Sequence, residues 1–378
     1  MTESKPLGGK IITLPFLVCS FIAAIAGFLL IKRFIFGLGS VTNLSDGYPW
    51  GIWIAYDVVV GTAFACGGYA MALLVYVFNK GEYHQLVRPA LLASMFGYTL
   101  AGVSIFFDVG RYWQAYNLIL PRYSQLYSVM FEVALCVTTY IIVLWIEFTP
   151  TFLKKFNKET LRRRLNRTLF IFIALGVLLP TMHQSSLGLL VYIAGQKVSP
   201  LWQTGFILLL FLISAITMGF SIVIFESIVS ARALKREMEI PVLSKLAGYI
   251  PPLLGIYLAV RFWDLVGREK LGLAFTGDLK ANMFIIENLL YIIPTILLLS
   301  PSKRSNPRWL FVSAVSMLLA GAVYRFNVFL IGFDPGPGWQ YFPSFSEVVI
   351  TLGLISIEII GYMIFVKRLP VLPSLSQA

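Results

Sequence analysis

Ten runs of mostly apolar residues, each roughly 19 to 28 positions long, take up most of this 378-residue sequence. A helix needs about 20 such residues to cross a bilayer. The runs fall near 11–36, 51–78, 89–110, 123–148, 167–194, 204–231, 245–266, 281–299, 309–331 and 346–366, and the stretches between them are too short for a separate soluble domain. Charged residues make up 13% of the chain, about half the roughly 25% of a soluble domain. The expected fold is therefore all-α: a polytopic transmembrane helical bundle of about ten spans, forming a single integral membrane domain over 1–378. Spans 2–5 and 6–9 could each make a four-helix bundle, with spans 1 and 10 flanking them.

The net charge of +12 would point to nucleic acid in a soluble chain. In a membrane protein it is a topology signal, because Lys and Arg accumulate in cytoplasmic loops. Twenty of the 30 basic residues fall at the N-terminus, at the C-terminus and in alternate loops, and six fall in the other set. The segment Lys154, Lys155, Lys158, Arg162, Arg163, Arg164 and Arg167 dominates. Both termini are expected in the cytoplasm of a bacterium, with the chain a multi-pass protein of the inner membrane. Lipid is its surroundings and nucleic acid is not a partner. Met1–Lys10 leads into an apolar run too long for a signal-peptide core and without a small-residue cleavage site, so it reads as a retained first span.

Cys19, Cys66 and Cys136 lie in apolar runs with no CxxC pair. An iron–sulfur cluster needs about four thiolates, so none is expected here. The outer loops Gly37–Trp50, Tyr112–Arg122 and Gly332–Phe345 are rich in Gly, Pro, Trp and Tyr. An interfacial aromatic belt accounts for part of that composition, and a docking surface for another subunit would look the same.

Ionisable groups inside a bilayer cost about 2.5–3.5 kcal/mol each on insertion scales, so each needs a partner or a purpose. Helical rise places Arg88 and Glu226 near the inner face, Tyr98 and Glu132 near mid-membrane, and Asp57, Asp108, Arg111 and His183 in the outer third. That ladder has the residue types of a proton relay. The plainer account is structural pairing: Asp108 with Arg111 at i,i+3, Arg261 with Glu287, and Arg325 with Glu347 or Glu358.

Span 5 contains Leu179-Pro180-Thr181-Met182-His183-Gln184-Ser185-Ser186, read as a helix broken at depth, which must line a cavity or be buried in protein. The polar cluster around His183 suits a polar-headed ligand, although a lone intramembrane histidine is often only a hydrogen-bond partner. The other histidine, His84, lies in an inner loop, so no bis-His haem is expected. Tyr48-Pro49-Trp50-Gly51-Ile52-Trp53-Ile54-Ala55-Tyr56-Asp57 sets aromatic rings beside a buried carboxylate, which suits a flat ring such as a quinone.

The order and spacing of several further segments resemble the NrfD/polysulfide-reductase membrane-subunit family, and within it the HybB-type membrane subunits of periplasm-facing NiFe hydrogenases. They include Pro6-Leu7-Gly8-Gly9-Lys10, Phe64-Ala65-Cys66-Gly67-Gly68, Arg88-Pro89-Ala90-Leu91-Leu92-Ala93-Ser94, Asp108-Val109-Gly110-Arg111-Tyr112-Trp113 and Phe220-Ser221-Ile222-Val223-Ile224-Phe225-Glu226. The resemblance runs over almost the whole chain. It implies a cofactor-free subunit with a quinone site near the periplasmic face and a docked iron–sulfur partner that brings electrons from the hydrogenase large and small subunits. By position, Arg88, Tyr98, Glu132, His183 and Glu226 match the polar residues of the family's proposed proton path, and Tyr56 and Asp57 fall by the quinone pocket wall.

The function expected on these grounds is transfer of electrons from the partner to menaquinone or ubiquinone, with proton uptake through the polar path. Asp57 and His183 would hold the headgroup, supported by Asp108, Arg111, Gln184 and Ser185. The alternatives are a subunit of another respiratory oxidoreductase and a secondary transporter, which also uses broken helices and buried carboxylates.

Overall fold

The computed structural model describes residues 6–118 and 120–372; residues 1–5, part of the polar N-terminal lead, lie outside the described residues. Ten helices long and apolar enough to cross a membrane are found among them: α1 (Leu14–Phe36), α2 (Trp53–Val77), α3 (Gly81–Asp108), α4 (Val129–Lys155), α5 (Glu159–Lys197), α6 (Ile207–Ala233), α7 (Ile240–Gly267), α8 (Leu279–Leu299), α9 (Pro307–Ile331) and α10 (Phe345–Arg368). No strand forms among the described residues beyond one bridge between Val198 and Phe333. The all-helical, ten-span class read from the sequence holds.

Local chemistry sets the helix ends. Asp278 caps α8 by accepting from the Ala281 amide at 2.7 Å, and Asn306 caps α9 with Pro307 in the first turn. Ser344 opens α10 with a reciprocal capping box to Glu347, which satisfies two otherwise orphaned groups. Basic residues close the last turns of α4, α6 and α10, where they favour the negative end of the helix dipole.

The chain divides into two compact units. Unit 1 is Met1–Thr62, Leu91–Leu179 and Pro335–Ala378; unit 2 is Ala63–Ala90 and Pro180–Asp334. In unit 1, α1 packs lengthwise on α10, and Gly353 leaves the space that the Ala26 methyl takes up. Arg33, at the end of α1, is buried and donates to the carbonyls of Phe107 at 2.9 Å and Val109 at 2.5 Å. In unit 2, α6 packs against α9 and the second half of α2. A Cβ on Gly219 would lie 2.6 Å from the Cys66 carbonyl oxygen, so only glycine permits that approach, the usual way helices associate without a hydrophobic drive in lipid.

Two irregularities differ from the sequence reading. Span 5 is not broken: Glu159–Ala194 is one helix with Pro180 inside it. Proline removes one backbone bond and bends a transmembrane helix without ending it when the surroundings hold the rest in place. The most irregular span is α2, with π-helix at Trp53–Val60 and Leu73–Val77 and a turn at residues 65–66 between them; α9 also ends in π-helix, at Asn327–Ile331. A second correction concerns depth. Helix α4 begins at Val129, so Glu132 lies in its first turn and not midway along the span.

Candidate functional site

The π-helical start of α2 carries Asp57, 8% exposed. Such π-turns concentrate at functional sites because the extra residue per turn re-aims side chains. The Thr351 hydroxyl on α10 donates to Asp57 Oδ2 at 3.2 Å. One helical turn earlier, Glu347 is buried and fully engaged. It accepts from the Tyr341 hydroxyl at 2.6 Å and from the amides of Ser344 at 2.7 Å and Asn43 at 3.1 Å. The Tyr341 oxygen in turn accepts from the Ile52 amide at 2.8 Å, and Trp53 Nε1 donates to the Glu347 carbonyl at 3.2 Å. Gly51 makes room here, since a Cβ there would press on the Tyr341 hydroxyl at 3.1 Å. Burial, with the bonded Glu347 carboxylate adding to it, pushes the Tyr341 phenol well above its ordinary range.

Asp108 joins this cluster in unit 1. Its charge acts on Asp57, and the charges of Glu347 and Arg33 act on it. The expected partner of Asp108, Arg111, is exposed beyond the helix end, and the cation that reaches Asp108 is Arg33. Tyr56 is half-buried within the electrostatic reach of Asp57 and Glu358. Tyr98 is fully buried, its ring 4.6 Å from that of Tyr140.

Unit 2 holds the other predicted residues. His183 and Gln184 are fully buried. Gln184 Nε2 donates to His183 Nε2 at 3.0 Å, and its Oε1 accepts from Arg325 Nη2 at 3.2 Å. Arg325 Nη1 also reaches Ser214 Oγ and Met218 Sδ, each at 3.2 Å. Arg325 thus anchors the histidine cluster, in place of the expected pairing with Glu347 or Glu358. The Ser185 hydroxyl donates to the Thr181 carbonyl at 2.8 Å and the Met182 carbonyl at 2.7 Å on its own helix, so it braces the bend after Pro180. The expected pair Arg261 and Glu287 is present and fully buried; Glu287 also accepts from Trp202 Nε1 at 2.8 Å and Asn327 Nδ2 at 2.7 Å. Arg88 is exposed near the start of α3, and Glu226 is half-buried, about two turns before the end of α6.

The sequence reading included Trp53 in the aromatic run beside Asp57 but passed over Tyr341 and Thr351, and it assigned Glu347 to a helix lock. The Ser344-x-x-Glu347 spacing was the available signal for a cap, and Thr351 follows Glu347 on the same helix face. Glu147 was also missed. It lies in α4 beside Gly176, with Oε1 buried and unbonded.

Comparison with known proteins matches residues 40–333 to the family described as polysulphide reductase, NrfD. The chain is 48% identical, over 99% of its length and 96% of the relative's, to the probable Ni/Fe-hydrogenase 2 b-type cytochrome subunit of Escherichia coli K12. It is 25% identical, over 89% of its length and 86% of the relative's, to the integral membrane subunit of menaquinone reductase from Nitratidesulfovibrio vulgaris Hildenborough. It is 23% identical, over 88% and 87%, to the integral membrane subunit of an Hdr-like menaquinol oxidoreductase from Archaeoglobus fulgidus.

The first of these names overturns the expectation that haem is absent, since a b-type cytochrome is a haem protein. The histidine count considered only bis-His ligation, whereas one imidazole with a thioether or an open position also holds haem iron. Of the two histidines, His183 is the fully buried one, with Nε2 accepting from Gln184 Nε2 at 3.0 Å. With ten apolar helices and membrane subunits as relatives, this is a multi-pass inner-membrane protein, and the chain belongs to the polysulphide reductase NrfD family.

Proposed function

We propose that the chain is the membrane anchor and quinone-interacting subunit of a periplasm-facing NiFe hydrogenase, with both termini in the cytoplasm. The observation that carries this reading is the Asp57 cluster of unit 1: a buried carboxyl on a π-helical turn, bonded by Thr351 and flanked by Trp53 and Tyr341. A quinone ring would sit against the aromatic side chains with a carbonyl oxygen toward Asp57, Tyr56 and Asp108 assisting. Two electrons from an iron–sulfur partner and two protons turn quinone into quinol. Menaquinone is the favoured substrate, because menaquinone and menaquinol appear in the relatives' names.

Exposed aromatic residues in the unit 1 loops, among them Trp113, Tyr123, Tyr127 and Phe342, offer the partner a docking surface. Tyr98 and Glu132 in unit 1, and Glu226 in unit 2, are the proposed proton carriers, with Arg88 of unit 2 on the path as a fixed positive charge. Glu132, at a helix end, would serve the aqueous side. A b-type haem held by His183 would pass electrons one at a time. A second reading keeps the quinone site and changes the donor to another respiratory oxidoreductase, as the names of the menaquinone-linked relatives suggest.

The test is Asp57→Asn in membranes that contain the whole complex. Hydrogen-dependent reduction of a menaquinone analogue should fall at least ten-fold, while hydrogen oxidation with an artificial dye that accepts electrons upstream stays unchanged. Undiminished quinone reduction would remove Asp57 from the site.

A further inference from the structure

Unit 2 contains a small cavity of about 10 Å³ where the segment joining α5 to α6 meets the end of α7, lined in part by Trp202, Thr204, Arg261, Asp264, Arg268 and Tyr324. At its mouth Asp264 and Arg268 form a salt bridge at 2.5 Å and cancel each other's charge. Deeper in, Arg261 and Tyr324 are 3% and 1% exposed. Arg261 Nη1 is engaged by Glu287 and by the Tyr257 hydroxyl, but Nη2 has no bond, and neither does the Tyr324 hydroxyl. Thr204 Oγ1 accepts from the Phe206 amide at 3.2 Å and keeps its own proton to donate. Arg261, Tyr324 and Thr204 therefore line one small space, and Arg261 Nη2 and the Tyr324 hydroxyl are donors there without an acceptor.

The charge count has the same sign. Among the described residues, the buried charged side chains of unit 2 are Arg261, Arg325 and Glu287, an excess of one positive charge. Arg325 gives its bonds to neutral acceptors, among them Gln184, Ser214 and Met218. At about 10 Å³ the cavity is far below the roughly 300–1,000 Å³ of sites for drug-sized ligands, so its occupant is a single water-sized species such as a monatomic ion. We propose that this cavity binds one small monovalent anion, held by Arg261 Nη2 and the hydroxyls of Tyr324 and Thr204 and admitted past the Asp264–Arg268 pair. The anion neutralises the arginine excess in the core of unit 2, and this does not depend on where quinone binds.

The experiment uses the purified full-length chain in detergent, with chloride replaced by gluconate at constant ionic strength. The thermal unfolding midpoint should rise with chloride along a saturating curve, as ligand linkage requires. Bromide should substitute and give an anomalous diffraction peak beside Arg261. Tyr324→Phe should raise the half-saturating chloride concentration about ten-fold. Thr204→Val, nearer the cavity mouth, should raise it several-fold and serves as the readout if the first variant does not fold. Equal midpoints in chloride and gluconate, or an undiminished chloride response in the variants that fold, would overturn the assignment.

Discussion

Replacing Glu287 with glutamine tests the core of unit 2. The Glu287 side chain is completely buried and accepts from Arg261, from Trp202 Nε1 at 2.8 Å and from Asn327 Nδ2 at 2.7 Å. All three partners are donors. A glutamine can turn its carbonyl oxygen toward Trp202 and Asn327, which then points its NH₂ at the Arg261 cation, or it can do the reverse and leave those two donors facing an NH₂. Either way Arg261 loses its counter-charge while it stays 3% exposed. Breaking a buried pair on one side costs about 3–5 kcal/mol, or two to four orders of magnitude in the folding equilibrium at about 1.4 kcal/mol per factor of ten. Removing the charge on both sides, in Arg261→Gln/Glu287→Gln, lets one amide donate to the other and should recover more than half of the loss. Unfolding in mixed micelles with increasing denaturing detergent, followed by circular dichroism, measures both variants. A single variant within about 1 kcal/mol of wild type, or a double variant no more stable than the single, would refute the reasoning.

Other predictions concern unit 1. Ser344→Ala removes the cap of α10 and should cost about 1 kcal/mol, read in the same unfolding assay. Gly353→Leu places a side chain where the Ala26 methyl lies; it should cost about 1–3 kcal/mol by overpacking and make the start of α1 more susceptible to protease. Tyr341 has a folded pKa raised from about 10, so the stability it contributes is complete below pH 10 and is lost as pH rises above that value. Tyr341→Phe should therefore flatten the alkaline limb of a stability-versus-pH curve relative to wild type, and superimposable limbs would rule the contribution out.

The ten spans were legible because an apolar run of membrane length needs no tertiary context to be recognised. The Arg261–Glu287 pair was legible from matched depth alone. The irregular helix was misplaced because proline is conspicuous in sequence. A π-turn such as Trp53–Val60 leaves no residue signature of its own, and neighbouring side chains decide whether it forms. Arg325 was misassigned because charge complementarity favours a carboxylate, whereas the folded core offered it a glutamine, a serine and a thioether. The depth of Glu132 failed for a simpler reason: the aromatic loop before Val129 is hydrophobic enough to count as membrane, although it is not helical.

One carboxylate in unit 1 joins elements far apart in the chain. Glu347 receives Asn43 from the loop after α1, Tyr341 from the loop before α10, and the amide of its own helix cap. Thr351, which holds Asp57, follows it by a single turn, about 6 Å along a rigid rod. The loop after α1, the loop before α10 and the buried acid therefore share one mechanical reference. A displacement of either loop would bear on the same helix that positions Asp57.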